Sequence, residues 1–439
     1  MVFILDRKCG KNLKKFLQKF QKDSKNIKKS TKRNTMPNTP PNINADSSQT
    51  TLTRNSKAYL LIVLACLSAF GPFITDFYLP ALPKIQELFH SSKTYVQLSI
   101  TCSLLGLGLG QLVMGPLSDM YGRKRVLIIS LVLFVLSTIA CIFSWDIGSF
   151  VGFRLLQGIA ASGGVVISRS VVADLFAGEE LAKFYAMLGA IHGLAPICAP
   201  VLGGIMLEFT DWRGIFVALF GLGLTLLIAV FFFRESLPPQ NRLKGKIYES
   251  FSFLSIAKNR AFMLYTAINA VAMGFMFSFI ASSSFIFEGH FGLSELQYGF
   301  CFGAAALGIT IGASVTPLFK SEKRALKVGI MGFFVLGLIT STIVLWHGNM
   351  WILESSVVLT LIFLGMILPS ATALAMEMER KNAGNASAVL GFSLFAFGGI
   401  VSPLTGLGDI FICTSAVMAG SAILLAICGI LTKFVKPHP

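Results

Sequence analysis

The feature that most restricts this chain is a series of apolar runs, each about 20 residues long, repeated from Ala58 to Leu431. That is the length a helix needs to cross the hydrocarbon core of a bilayer. Hydrophobic residues make up 54% of the 439 and charged residues only 13%, so an ordinary soluble surface cannot be assembled. The sequence therefore predicts an all-α polytopic membrane protein with twelve transmembrane helices.

A net charge of +16 would suit a nucleic-acid partner, so its placement matters. Of the 37 Lys and Arg, Lys84, Lys93 and Arg213 fall on one side of the expected topology, and Arg154 and Arg169 fall inside a span. All the others fall on the opposite side. That asymmetry directs both termini to the cytoplasm and needs no nucleic acid to explain it. The eight cysteines show neither a CxxC pair nor metal spacing, and seven lie in or at apolar runs. No disulfide framework, metal or cofactor is expected.

Residues 1–57 form a basic cytoplasmic extension. Leu13, Phe16, Leu17 and Phe20 recur at helical spacing among lysines, a pattern that fits a helix lying on an anionic leaflet or a solvated basic tail. The stretch from Ser24 to Ser56 is rich in Lys, Asn, Thr, Ser and Pro, and is expected to be disordered. Six spans are expected over 58–234, a basic linker over 235–261, six more spans over 262–433, and a short cytoplasmic tail over 434–439. Two echoes support equal halves. Pro116-Leu117 before Arg123-Lys124-Arg125 returns as Pro317-Leu318 before Lys323-Arg324, and Pro200-Val201-Leu202-Gly203 returns as Pro403-Leu404-Thr405-Gly406. Each echo lies six spans later.

The stretch Gly115–Val126, GPLSDMYGRKRV, is short, charged and wedged between two spans. It reads as a tight cytoplasmic connection, opened by a helix-breaking Gly-Pro. If the turn is helical, Asp119 and Arg123 share a face. Its Gly115, Leu117, Asp119, Gly122, Arg123 and Lys124 match the Gly-x-Leu-x-Asp-x-x-Gly-Arg-Lys/Arg signature, and the segment resembles the loop between the second and third helices of major facilitator superfamily transporters. The resemblance implies two pseudo-symmetric six-helix bundles. It also assigns Gly115, Asp119, Gly122, Arg123 and Lys124 to a latch between the halves on the cytoplasmic side in the outward-open state, which Asp174 at the end of span four would join; the competing reading is a plain topogenic charge cluster.

Asp76 lies about 18 residues into span one, roughly 27 Å along a helix. Spans seven to twelve place their acids, such as Glu288, Glu354, Glu377 and Asp409, at the ends, so Asp76 is the best-placed carboxylate for a proton relay. An acid at that depth must face a cavity or a partner; the competing reading is an interfacial Asp that simply caps the span. The surrounding DFYLPALP, Asp76 to Pro83, resembles the first span of the Bcr/CflA drug-resistance branch. Arg154 is a second intramembrane charge. It opens RLLQGIAASGG, which resembles the superfamily's fourth-span motif and implies a part in proton coupling; a structural hydrogen bond to a neighbouring helix is the competing reading.

Span five, GAIHGLAPICAPVLGG, carries Gly189, His192, Gly193, Pro196, Pro200, Gly203 and Gly204. It resembles the antiporter helix of drug exporters, with Leu194-Ala195-Pro196 in place of an immediate Gly-Pro. His192 sits mid-span and titrates near neutral pH when unperturbed, although a lone His on an apolar helix is more often structural. GNASAVLGF, from Gly384, also resembles the Bcr/CflA branch, and Asp211-Trp212-Arg213 reads as an external interfacial anchor. Tyr78, Gln157 and Asn269 are candidates for a substrate cavity. The 39 Phe and 15 Met suit varied apolar cargo, but most must face lipid or other helices.

Together these features imply a proton-coupled exporter of drugs or small amphipathic molecules. It is expected to be a multi-pass monomer of the inner membrane, driven by the proton gradient. The alternatives are a proton-coupled exporter or importer of a metabolite, amino acid or siderophore, and, more remotely, a membrane sensor without transport. No phosphate loop of the GxxxxGK[ST] type and no HExxH occurs, which argues against ATP-driven pumping and metalloprotease chemistry.

Overall fold

The computed structural model describes residues 56–176, 178–243, 256–379 and 383–434. The basic stretch around Leu13 to Phe20, the bulk of the linker and the tail beyond Phe434 lie outside them. The described residues belong to one compact unit, Arg54–Pro439. Among them twelve long helical elements follow one another, with no strand.

The first, α1, spans Lys57–Leu88 as a broken series: Lys57–Ser68, Phe70–Asp76, the 3-10 turn Leu79–Ala81, and Leu82–Leu88. It is followed by α2 (Lys93–Tyr121), α3 (Arg123–Ile142), α4 (Ile147–Leu175), α5 (Gly178–Leu207) and α6 (Trp212–Phe232). The second set is α7 (Arg260–Phe287), α8 (Glu295–Val315), α9 (Glu322–Leu345), α10 (Met350–Met378), α11 (Ala383–Val401) and α12 (Ile410–Leu431). Eleven are long and apolar enough to cross a membrane, and within α5 the apolar stretch is Gly193–Leu207.

Polar residues close the helix ends. Ser92, Asp146, Asp211, Asn259, Ser294, Ser321, Asn349 and Asp409 each accept a hydrogen bond from the first turn of the helix that follows. Those amides have no partner inside their own helix, so each cap stabilises its start by about 1 kcal/mol. Asp211 is one of these caps. Trp212 corrects the expectation of an interfacial anchor, because it is buried among Phe89, Phe150 and Phe216 at 5.4–5.8 Å between ring centroids. Its neighbour Arg213 lies over the indole face, 4.5 Å from the ring centroid.

Two prolines behave differently from expectation. The Gly115-Pro116 pair does not end α2, which continues through Pro116 to Tyr121. Transmembrane helices tolerate such a proline because neighbouring helices re-satisfy the freed backbone. Span one, read from the sequence as a single run over about Ala58–Tyr78, is interrupted at Ala69. Pro72 has no N–H for the carbonyl of Ser68, so the helix loses a rung there and restarts at Phe70.

The packing repeats at an offset of six helices. As α2 lies on α4, so α8 lies on α10; α3 packs on α4 and α6 as α9 packs on α10 and α12. Between the halves α5 packs on α8, and α11 packs on α2, the same pairing with the roles exchanged. Glycines permit the closest crossings on both sides. A Cβ at Gly158 of α4 would stand 3.1 Å from the Leu107 amide nitrogen of α2, and one at Gly365 of α10 would stand 2.9 Å from that of Ala313 of α8.

Backbone atoms cannot step aside as a flexible side chain can. Gly365→Ala is therefore expected to destabilise the bundle by about 2 kcal/mol through overpacking. Gly152→Ala, with no neighbour within 4 Å, is expected to be neutral or slightly stabilising. Thermal unfolding of the two purified variants in detergent checks the contrast.

Candidate functional site

Asp76 ends the short helix Phe70–Asp76 and is 3% exposed. Its Oδ1 accepts from the Thr75 hydroxyl at 2.7 Å, and it makes no ion pair among the described residues. The 3-10 turn just beyond it, Leu79–Ala81, packs on α7 and α8 of the opposite half. Tyr298 on α8, hydrogen-bonded to Ser283 at 2.8 Å, lies within electrostatic reach of both Asp76 and Glu288. Asp76 thus stands at the seam between the halves.

Arg154 is the largest fully buried side chain among the described residues. No carboxylate pairs with it among the described residues. Instead Nη2 donates to the carbonyl of Ile74 at 2.6 Å, Nη1 donates to Gln157 Oε1, and the guanidinium lies 4.3 Å from the Tyr78 ring centroid. Gln157 in turn donates to Thr138 Oγ1 at 2.8 Å, and the Tyr78 hydroxyl lies 3.0 Å from Ser99 Oγ. This network joins α1, α2, α3 and α4 and holds the backbone two residues before Asp76.

Of the three cavity candidates, Tyr78 and Gln157 are fully buried and place their polar atoms inside this network. Asn269 is also fully buried. The amide orientation that satisfies both its ends donates to the Leu368 carbonyl at 3.3 Å and accepts from Thr372 Oγ1 at 3.1 Å. It ties α7 to α10.

The charged turn forms a second cluster. Gly122 takes φ +96°, in the left-handed region, and separates α2 from α3. The expected helical continuity is therefore absent, yet Asp119 and Arg123 still meet at 2.5 Å because the reversal at Gly122 folds α3 back against the end of α2. Arg123 is 6% exposed and also donates to Ser118 Oγ at 2.7 Å and to Asp174 Oδ2 at 2.9 Å. Lys124 Nζ donates to the Phe231 carbonyl at 2.8 Å.

Glu235, which the sequence reading did not single out, completes the cluster. Its carboxylate accepts from the backbone N–H of Arg123 at 2.9 Å and of Lys124 at 3.2 Å, capping α3 where its dipole is positive. The angle at Gly122 calls for glycine; the atoms a Cβ would meet there, Glu235 Oε2 at 2.5 Å and Arg242 Nη2 at 2.9 Å, are the ends of flexible side chains that can shift. Gly115 has room by comparison, with Val166 3.5 Å from a Cβ there.

At the end opposite this turn the two halves touch directly. Lys84 pairs with Glu295 at 2.6 Å, Thr94 Oγ1 donates to the Gly406 carbonyl at 2.5 Å, and Gln97 Nε2 donates to the Ala281 carbonyl at 3.0 Å. The antiporter-type helix contributes here. Pro196 and Pro200 lie inside α5, and a Cβ on Gly204 would stand 2.5 Å from the Glu295 carbonyl. Gly203 backs instead onto the carbonyl of Phe77, and Gly193 lies near Thr310 with a looser fit. The side chain of His192, and Gly189 and Gly384, lie outside what is described.

Glu354 revises the count of acids. It lies on α10 at 7% exposure, and neither carboxylate oxygen has a hydrogen-bond partner among the described residues. Position near a span end did not distinguish it from a solvated end residue; helix phase, which turns it inward, does.

Two six-helix sets with matching packing and with polar groups buried at their seam define a membrane transporter fold. The Major Facilitator Superfamily model matches residues 61–403, and the chain belongs to that family. It is 36% identical over 391 residues to an MFS-type transporter of Bacillus subtilis, YdgK, covering 87% of this chain and 96% of the relative. It is 26% identical over 359 residues to a bicyclomycin resistance protein homolog of Haemophilus influenzae, covering 80% and 89%. Among solved structures, the partially occluded, inward open xylose transporter XylE of E. coli superposes with a TM-score of 0.68 at 14% identity, covering 86% of this chain and 98% of that one. The last likeness concerns the fold alone.

Proposed function

We propose that this transporter exports drugs or other small amphipathic molecules by alternating access, in exchange for protons entering across the inner membrane. The observation that carries the reading is Asp76: a buried carboxylate with no ion pair among the described residues, beside the seam that must open and close. A carboxylate there keeps its charge only while water or a cation reaches it. Protonation removes the charge and lets the segment enter the closed seam; deprotonation requires that it be wetted again. Arg154 acts as a positioning residue, holding the Ile74 carbonyl and with it the segment that ends in Asp76.

The Asp119–Arg123–Asp174 cluster faces the cytoplasm by the placement of basic residues, and it is bonded within the N-terminal half and to Glu235. As the latch that the family resemblance implies, it would reach the other half only when the cytoplasmic side closes. The drug-resistance name of the Haemophilus relative supports the cargo class, and the Pro- and Gly-bearing α5 supports export.

The test is flux into proteoliposomes carrying the full chain, with a panel of amphipathic antibiotics and an imposed pH gradient. Cargo is expected to move against its own gradient, in the direction opposite to the protons, and to stop when a protonophore collapses the pH difference. Flux indifferent to the pH difference would overturn proton coupling. A membrane that stays equally impermeable with and without the protein, across the panel, would overturn drug export.

A further inference from the structure

At the end bearing the charged turn, helices α7, α9, α10 and α12 of the C-terminal half leave a cavity of about 590 Å³. Its inner wall is apolar, built from Leu326, Ile330 and Leu374. Its flanks are Met331 of α9 and Ile430 of α12, which are 60% and 55% exposed on the outside of the bundle, where a membrane protein meets acyl chains. Its mouth carries Lys323, Lys327 and Lys433. No acid lines it, and the three ammonium groups make no ion pair or hydrogen bond among the described residues. Glu377 acts on the phenol of Tyr265, which also lines the cavity, without itself lining it.

An apolar trough on the lipid-facing side with three cations at its aqueous end matches one kind of molecule: a long hydrocarbon with an anion at its tip. A small inorganic anion would satisfy the lysines and leave the trough uncovered. A zwitterionic lipid would fill the trough and leave the lysines without a net counter-charge. The basic segment before residue 57 has the wrong sign to approach them. We propose that this groove is a binding site for an anionic phospholipid, with its phosphate on Lys323, Lys327 and Lys433 and an acyl chain between α9 and α12. Attraction between lysines at a membrane surface and anionic headgroups supplies the preference, and the trough supplies the depth. The inference rests on the membrane-spanning fold and is independent of the export reading.

The experiment is native mass spectrometry of the purified full chain, titrated separately with phosphatidylglycerol, phosphatidylcholine and inorganic phosphate. The wild type is expected to retain one phosphatidylglycerol with at least about tenfold preference over phosphatidylcholine. The triple variant Lys323→Gln, Lys327→Gln, Lys433→Gln is expected to bring the two lipids to near parity, whereas Lys258→Gln, an exposed control, keeps the preference. A second variant, Ala426→Trp, narrows the trough without touching a charge and is expected to lose the bound lipid. Equal retention of phosphatidylcholine by the wild type, displacement of the lipid by millimolar phosphate, or an unchanged preference in the triple variant would each overturn the assignment.

Discussion

Asp76→Asn is expected to abolish pH-driven export while the protein folds and inserts normally. The amide is nearly isosteric, and its oxygen keeps the hydrogen bond from Thr75. What it loses is the capacity to take up and release a proton. Groups that relay protons contribute at least about 100-fold to the steps they serve, so gradient-driven flux should fall by that factor or more. Exchange of labelled for unlabelled cargo, which needs no net proton movement, should survive. Asp76→Glu should restore part of the driven flux. A pH dependence in Asp76→Asn that matches the wild type would remove Asp76 from the mechanism.

The second large effect falls on stability. Arg154→Met removes a guanidinium that lies wholly inside the N-terminal half and leaves the Ile74 carbonyl and Gln157 Oε1 without their donor. Each orphaned acceptor costs about 1–3 kcal/mol, offset in part because Arg154 Nε has no partner among the described residues, so a net loss of about 2–3 kcal/mol is expected, read as a lower midpoint of thermal unfolding in detergent. Arg154→Lys should recover only part. One ammonium cannot reproduce a planar fork that bonds two acceptors and also lies over the Tyr78 ring. A variant Arg154→Met as stable as the wild type would show that the network holds nothing together.

The twelve elements were readable because crossing a bilayer leaves a local mark, a long apolar run with few charges, which eleven of them carry in full and α5 carries in shorter form. The six-helix repeat was readable from two short echoes, although the echoes differ in local form: Pro200 lies inside α5, whereas Pro403 lies in the 3-10 turn Ser402–Gly406. Asp76, Arg154 and the charged turn stood out for the same reason as the spans, since charge is conspicuous in an apolar chain. The partners did not. Glu235 lies more than a hundred residues from the amides it caps, and Lys84 meets Glu295 across the seam. Such pairs depend on how distant helices stack, which hydrophobic periodicity does not encode. The interruption at Ala69 had a signal in Gly71-Pro72, but Gly115-Pro116 carries the same signal and the helix there runs on. Tertiary packing decides between the two outcomes.

A rod broken in two places does not carry a push from end to end. The middle piece of α1 is seven residues long, carries its carboxyl at one tip, and is tethered near that tip to a cation on α4. A displacement of the acid would therefore reach the adjacent helix through that tether as well as its own neighbours along α1.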